Sequence, residues 1–349
     1  MTRFSLSASI AATAGAVVLF VAASCPPAAR AAGTVSTVSP RAMGMGGAFL
    51  AVEDGLAAVS WNPAGLAVPL CRGGARIRVH ANALGAVPIL HETGILTGTE
   101  TERFGGLAAA ERAMILVGSI AKGTVLRRGS VCVGVLLLEE SLDPETLDRS
   151  RVLADAGDLL DGYYSTAAVS FALAPSVSIG AAHTVFAGLE LDGERVFGTG
   201  RAYGALLRPN ERVAVGFVYF DAAPGFEGVR AGLEGFGPRT MNAGIAYRLS
   251  PRALVTVDVR DLSEKGADTA LEPRAGAEWR VRRSAALRGG LFREREGGPA
   301  VLTLGVGALP MTGCRGAERA AGDACAVDYA VLLSSGRAPA HLLSVFLRF

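Results

Sequence analysis

The sequence predicts an all-β fold, a transmembrane up-and-down antiparallel β-barrel of about 14 strands. Three observations carry that prediction. From Ala75 onward, segments of about ten residues alternate apolar and polar positions, the period-two signature of a sheet whose faces meet different surroundings. The connections between these segments alternate short and long, as they do in single-chain outer-membrane barrels. An export signal opens the chain, and Phe349 closes it after apolar residues at every second position, Leu343, Val345 and Leu347.

Composition narrows the function classes. The 349 residues include 45 glycines and are 50% apolar, with a positive mean hydropathy of +0.36. A net charge of +2 with singly scattered arginines gives no basic field for nucleic acid. His80, His91, His183 and His341 are dispersed and no C-x-x-C occurs, so neither a metal nor a cofactor is expected. With no G-x-S-x-G and no readable Ser–His pairing, the chain is not expected to be an enzyme.

Residues 1–32 read as a secretory signal peptide: Arg3, a largely apolar run from Ile10 to Ala23, then Ala29-Arg30-Ala31 for cleavage after Ala31 or Ala32. That run is shorter than the roughly 20 residues that a spanning helix needs. Cys25 is either removed with this signal or acylated as a lipoprotein cysteine. Among the remaining cysteines, Cys314 and Cys325 flank a small Gly-, Arg- and Asp-rich loop and form the candidate disulfide, while Cys71 and Cys132 read as buried thiols.

Residues 33–70 form a compact segment. Its stretch from Arg41 to Ala67 holds Gly44, Gly46, Gly47, Gly55 and Gly65, the acidic pair Glu53-Asp54, and the turn Trp61-Asn62-Pro63-Ala64. Glycines at this density let backbone pass close to backbone, and Asn62-Pro63 stops any helix begun before it. A nucleotide loop is excluded because Phe49 stands where G-x-G-x-x-G from Gly44 needs its third glycine.

The order GMGGAF, an acidic pair, then WNPAGL resembles the N-terminal segment of the FadL/TodX outer-membrane transporters and of the related PorV/PorQ-like barrels. The resemblance covers under a tenth of the chain. It implies a hatch folded inside a fourteen-stranded barrel, with Gly44, Gly46, Gly47, Asn62, Pro63 and Ala64 as its motif. It further implies one of two functions. One is uptake of hydrophobic small molecules, long-chain fatty acids or hydrocarbons, through a channel that the hatch gates. The other is a PorV/PorQ-like scaffold whose partners are subunits of a protein-export system, with no transport of its own.

Residues 71–349 form the barrel. Its strands are expected at 75–83, 113–122, 130–139, 162–173, 176–190, 198–207, 211–221, 238–249, 252–261, 271–281, 284–293, 299–308, 325–334 and 340–349. An even count puts both barrel ends on one side of the membrane. In the clearest strand Met241, Ala243, Ile245, Tyr247 and Leu249 oppose Asn242, Gly244, Ala246 and Arg248. The uncharged stretch Gly162 to Leu189 reads as two strands about Pro175, because a helix would expose its serine row at no consistent angle. Turns at Ala174-Pro175-Ser176, Arg208-Pro209-Asn210 and Ser250-Pro251-Arg252 are tight, whereas 191–197, 222–237 and 262–270 are longer and acidic. The connection 309–324 is long where a short turn is expected.

Loop 140–161 holds a helix capped by Asp143, with Pro144 at its first position. It either packs on the rim or, as the family resemblance implies, offers Leu153, Leu159 and Leu160 as a landing site for the hydrophobic ligand. The inner face carries Arg212, Arg248, Asp258, Arg260, Arg274, Glu278, Arg280, Arg288, Asp328 and Arg348. These ions either pair with one another and with water or, through Arg248, Arg260 and Arg280, receive a carboxylate. The expected location is the outer membrane of a Gram-negative-type bacterium, among its lipids. The C-terminal Phe349 resembles the signal that engages the barrel-insertion machinery.

Overall fold

The computed structural model describes residues 35–36, 39–52, 55–67, 76–82, 113, 117, 120–142, 163–189, 195–222, 239–260, 262, 272–282, 285–293, 300–308, 325–334 and 339–348. Its strands are β1 Val35–Ser36, β2 Arg76–Asn82, β3 Gly123–Arg128, β4 Val131–Leu142, β5 Tyr163–Ala174, β6 Val177–Leu189, β7 Arg195–Leu207, β8 Val213–Ala222, β9 Arg239–Ser250, β10 Ala253–Arg260, β11 Glu272–Arg282, β12 Ala285–Arg293, β13 Ala300–Ala308, β14 Cys325–Ser334 and β15 Ala340–Arg348. Each strand from β2 to β15 pairs antiparallel with its sequence neighbours. β15 pairs back onto β2 through Phe346↔Asn82, Leu347↔Ala81 and Arg348↔His80, so the 14 strands close into a ring. The short β1 adds to the far end of β4.

Closure satisfies the backbone in a medium without water, since every edge finds a partner. Side chains then sort by the pleat. Along β13, Ala300, Leu302, Leu304, Val306 and Ala308 face outward, while Val301, Thr303, Gly305 and Gly307 are buried. Around the ring the outward positions carry large apolar groups such as Ile77, Leu173, Phe217, Met241, Ile245 and Trp279. Tyr203 and Tyr219 stand opposite one another on β7 and β8 with stacked rings 6.5 Å apart. Among the described residues no helix is long and apolar enough to cross a membrane.

Tight turns gather at one end of the barrel. Gly129 takes φ +61° between β3 and β4, and residues 175–176 and 251–252 close two further hairpins. Between β7 and β8 the Asn210 Oδ1 accepts from the N–H groups of Arg212 and Val213 at 2.8 and 3.0 Å.

One expected strand is misplaced. The strand is Gly123–Arg128, whereas the described residues Ala113, Val117 and Ile120 are helical and the N–H of Ala121 donates to the carbonyl of Val117 at 2.7 Å. Ala113-Met-Ile-Leu-Val117 is an uninterrupted apolar run without alternation, which periodicity does not assign to strand over helix. β7 also begins at Arg195, three residues before the expected start at 198. The signal peptide, Cys25, Cys71, Cys314, the 140–161 helix with Leu153, Leu159 and Leu160, the 309–324 connection and Phe349 lie outside the described residues, apart from 140–142, which extend β4.

Candidate functional site

Residues 39–52 and 55–67 fill the lumen as a plug. Pro40–Gly44 is one helical turn, with Pro40 at its start and the Ser39 Oγ accepting from the N–H of Ala42 at 3.3 Å. Gly46 and Gly47 then take φ +66°, a left-handed conformation open to glycine, and reverse the chain. A second turn of helix, Ala58–Trp61, stops at Asn62, which the following proline holds extended at φ −153°, ψ 103°. Pro63–Ala67 continues as a 3-10 helix.

The plug bridges the lumen. Pro40–Gly44 packs against β12, β13 and β14, and Pro63–Ala67 against β5, β6 and β7. Those two seats centre on β13 and β6, half a turn apart in a ring of 14. Ala42, Met43, Met45, Ala48, Ala64 and Leu66 are 0% exposed, so the junction between plug and wall is dry there.

The first seat is ionic. Arg41 forks onto Glu278 of β11, Nε to Oε2 at 2.7 Å and Nη2 to Oε1 at 2.9 Å. Glu278 also accepts from Arg288 Nε at 2.9 Å, and Arg288 Nη1 reaches Asp328 Oδ1 at 2.7 Å. Asp258 of β10 is fully buried and its Oδ2 accepts from the N–H groups of Phe49 and Leu50 at 2.7 and 3.0 Å. Thr303 Oγ1 accepts from the N–H of Gly46 at 2.9 Å. Arg260 donates to the Gly47 carbonyl at 3.1 Å and lies 4.8 Å over the Trp61 ring. Arg274 pairs with Glu272 beside it and covers Phe292.

The second seat is neutral. The Asn62 Nδ2 donates to the Leu50 carbonyl at 2.8 Å and to the Ala205 carbonyl of β7 at 3.3 Å, while its Oδ1 accepts from the N–H of Ala64 at 3.1 Å. Ser178 and Ser170 both donate to the Ala64 carbonyl, at 2.8 and 3.2 Å.

Wall glycines bring the two backbones together. A Cβ on Gly290 would lie 2.1 Å from the Gly46 nitrogen, one on Gly276 2.2 Å from the Met45 oxygen, and one on Gly204 2.2 Å from Asn62 Oδ1. Gly276 faces Gly290 across β11–β12, and Gly180 faces Gly204 across β6–β7. These glycines cut recesses into the inner wall at the level of the plug.

Near the tight turns lies a cavity of about 610 Å³, between the β7–β8 turn, the β9–β10 turn and the plug residues Arg41, Ala51 and Val52. Arg248 and Arg280 line it. Arg260, expected to act with them, instead belongs to the plug seat at Gly47 and Trp61. Gly44, Gly46, Gly47, Asn62, Pro63 and Ala64 all sit at the plug–wall junction. The inner-face ions Glu278, Arg288 and Asp328 pair with one another. Sequence reasoning missed the glycine recesses, although glycine recurs on the inward positions of β6, β7, β8, β9, β11 and β12. Cys132 is buried on the inward face of β4, and Cys325 begins β14. Among the described residues no three His, Cys, Asp or Glu side chains group as metal ligands.

No protein-family model matches the chain, and no curated protein matches it significantly. Among solved structures it is similar to the toluene transporter TodX of Pseudomonas putida, with a TM-score of 0.51 at 10% identity over 89% of this chain and 96% of that one. A deltaS2S3 mutant of the TodX monoaromatic hydrocarbon channel aligns at TM-score 0.47 and 9% identity over 90% and 98% of the two chains. A mutant of the Rh. blastica porin aligns at 0.36 and 14% over 65% and 75%. The first likeness shows the fold, an antiparallel β-barrel like that of TodX.

Proposed function

We propose that this chain is an outer-membrane channel for hydrophobic small molecules, long-chain fatty acids or hydrocarbons, gated by the plug. The observation that carries the reading is the dry junction of the buried plug residues, Ala42, Met43, Met45, Ala48, Ala64 and Leu66, with the wall of a barrel that shares its fold with a toluene transporter. A lumen sealed in this way passes a solute only when the plug moves, and the Gly46-Gly47 reversal is where its backbone has the freedom to do so. The apolar outer belt, the short turns at one end and the C-terminal strand at that same end support insertion with the turns toward the periplasm.

The experiment is uptake into vesicles carrying the purified protein. Asn62→Ala combined with Pro63→Ala removes the rigid turn between the plug and β7. The double variant is expected to change uptake of fatty-acid and aromatic probes while keeping the heat-modifiable gel shift of an assembled barrel. Uptake equal to the parent across all probes removes the gating role.

The sealed lumen also favours a second reading, a PorV/PorQ-like scaffold of an export system that transports nothing itself. Fatty acid or hydrocarbon found by mass spectrometry in protein extracted from the membrane supports the channel. Copurifying export subunits with no bound lipid support the scaffold.

A further inference from the structure

The cavity at the turn end has a chemistry that the plug seat at Arg41 and Glu278 explains only in part. Six guanidinium groups line it, from Arg41, Arg208, Arg212, Arg248, Arg252 and Arg280. They come from the plug, both turns and the two strands β9 and β11, so the fold gathers them from positions that are distant in sequence. Among the described residues two carboxylates share the lining, Glu211 and Glu278. Glu278 is already engaged by the fork of Arg41 and by Arg288. Arg280 also lies 3.8 Å from Glu278, and six guanidinium groups against two carboxylates leave the described lining positive.

Apart from Asn210 and Ser250, the rest of the lining is apolar. Val52 of the plug and Ala214, Ala246 and Leu254 of the wall form its inner part. Arg212 and Arg252 stand exposed in the turns at its outer part. At about 610 Å³ the space lies within the range of small-molecule pockets, roughly 300–1,000 Å³. An apolar floor beneath a basic rim fits a ligand with an apolar body and one anionic head. Guanidinium is the side chain that holds a carboxylate through two parallel hydrogen bonds.

We infer that this vestibule is a binding site for small organic carboxylates, on the turn side of the plug and separate from any site in the outer loops. The inference rests on the channel reading for its orientation. It also distinguishes this chain from a carrier of toluene, a neutral ligand, because neutral hydrocarbons gain nothing from six guanidinium groups. The vestibule receives the head group once the plug has let the ligand by, and the basic rim biases passage toward anions.

The test uses the full barrel in non-ionic detergent and a matched pair of soluble probes, 4-butylbenzoate and 4-butylbenzyl alcohol, with inorganic phosphate as a charge without an apolar body. Calorimetry is expected to give at least a tenfold preference for the carboxylate over both the alcohol and phosphate, weakening as salt is raised. In the combined variant Arg212→Gln, Arg248→Gln, Arg252→Gln that preference falls to near one. Equal affinity of the parent for the two organic probes overturns the inference, as does a preference that survives the combined variant, or phosphate binding as tightly as the benzoate. If the combined variant loses its heat-modifiable gel shift, Arg212→Gln and Arg252→Gln are tested singly, since both side chains are exposed in turns; each is expected to lower the preference at least threefold, and no change in either overturns the site. Vesicle uptake separates the two proposals. Selective binding with no uptake of either probe ends the channel reading and leaves the vestibule standing, whereas uptake of both probes without selective binding ends the vestibule alone.

Discussion

At β11–β14 the plug is held by charge, whereas at β5–β7 it is held by neutral hydrogen bonds and by shape. Arg41, Glu278, Arg288 and Asp328 form a buried chain in which each ion depends on the next. Asn62, Ser170 and Ser178 instead converge on ordinary backbone groups, and the Ala64 carbonyl receives two of their bonds. The difference teaches that the two seats fail differently. Removing one buried ion strands its partners, while removing one neutral donor leaves the acceptor another.

The largest effect is expected from Glu278→Gln. It leaves Arg41 and Arg288 without the carboxylate both of them use, and breaking a buried pair in this way costs about 3–5 kcal/mol. Limited proteolysis of the assembled barrel is expected to cut within 39–67 in the variant and to spare the parent, because cleavage follows the population of the open plug. Gly290→Ala comes next. Its methyl group meets the Gly46 backbone, which has no flexible end to yield, and overpacking of this kind costs about 1–3 kcal/mol. The neighbouring Gly289→Ala is the control, since its nearest atom would be 3.9 Å away, and its effect should stay within about 0.5 kcal/mol. Equal protease sensitivity of the two alanine variants removes the recess from the account. The smallest effect is Ser178→Ala, about 1 kcal/mol, because Ser170 still serves the Ala64 carbonyl. A Ser178→Ala barrel as protease-sensitive as Glu278→Gln breaks the distinction between the seats.

How far the sequence could be read follows the same division. The wall was legible where alternation is clean: Met241 and Ile245 face out and Asn242, Gly244 and Ala246 face in, and Trp279 and Val281 oppose Arg274 and Glu278 as the pattern requires. It was illegible at 113–122, where an apolar run has no period to read. The plug was legible as a unit because Gly46, Gly47 and Asn62-Pro63 act through local backbone rules. Its seats were not, since Arg41 meets Glu278 and Gly46 meets Thr303 across more than two hundred residues. Arg260 shows the limit most directly. It shares the inward face with Arg248 and Arg280, yet its height along the strand puts it at Trp61 rather than in the vestibule.

The glycine recesses also set an order of events in biogenesis. Residues 39–67 leave the ribosome before any of the 14 ring strands, but their seats lie on β5–β7 and β11–β14 and face one another only once the ring has closed through β15 and β2. The plug is therefore made before the wall that seats it and is the last to fold. Until then Arg41 and the N–H groups of Gly46, Phe49 and Leu50 have no wall to bond to and stay hydrated. Seating the plug is thus a final step that reports completion of the barrel around it.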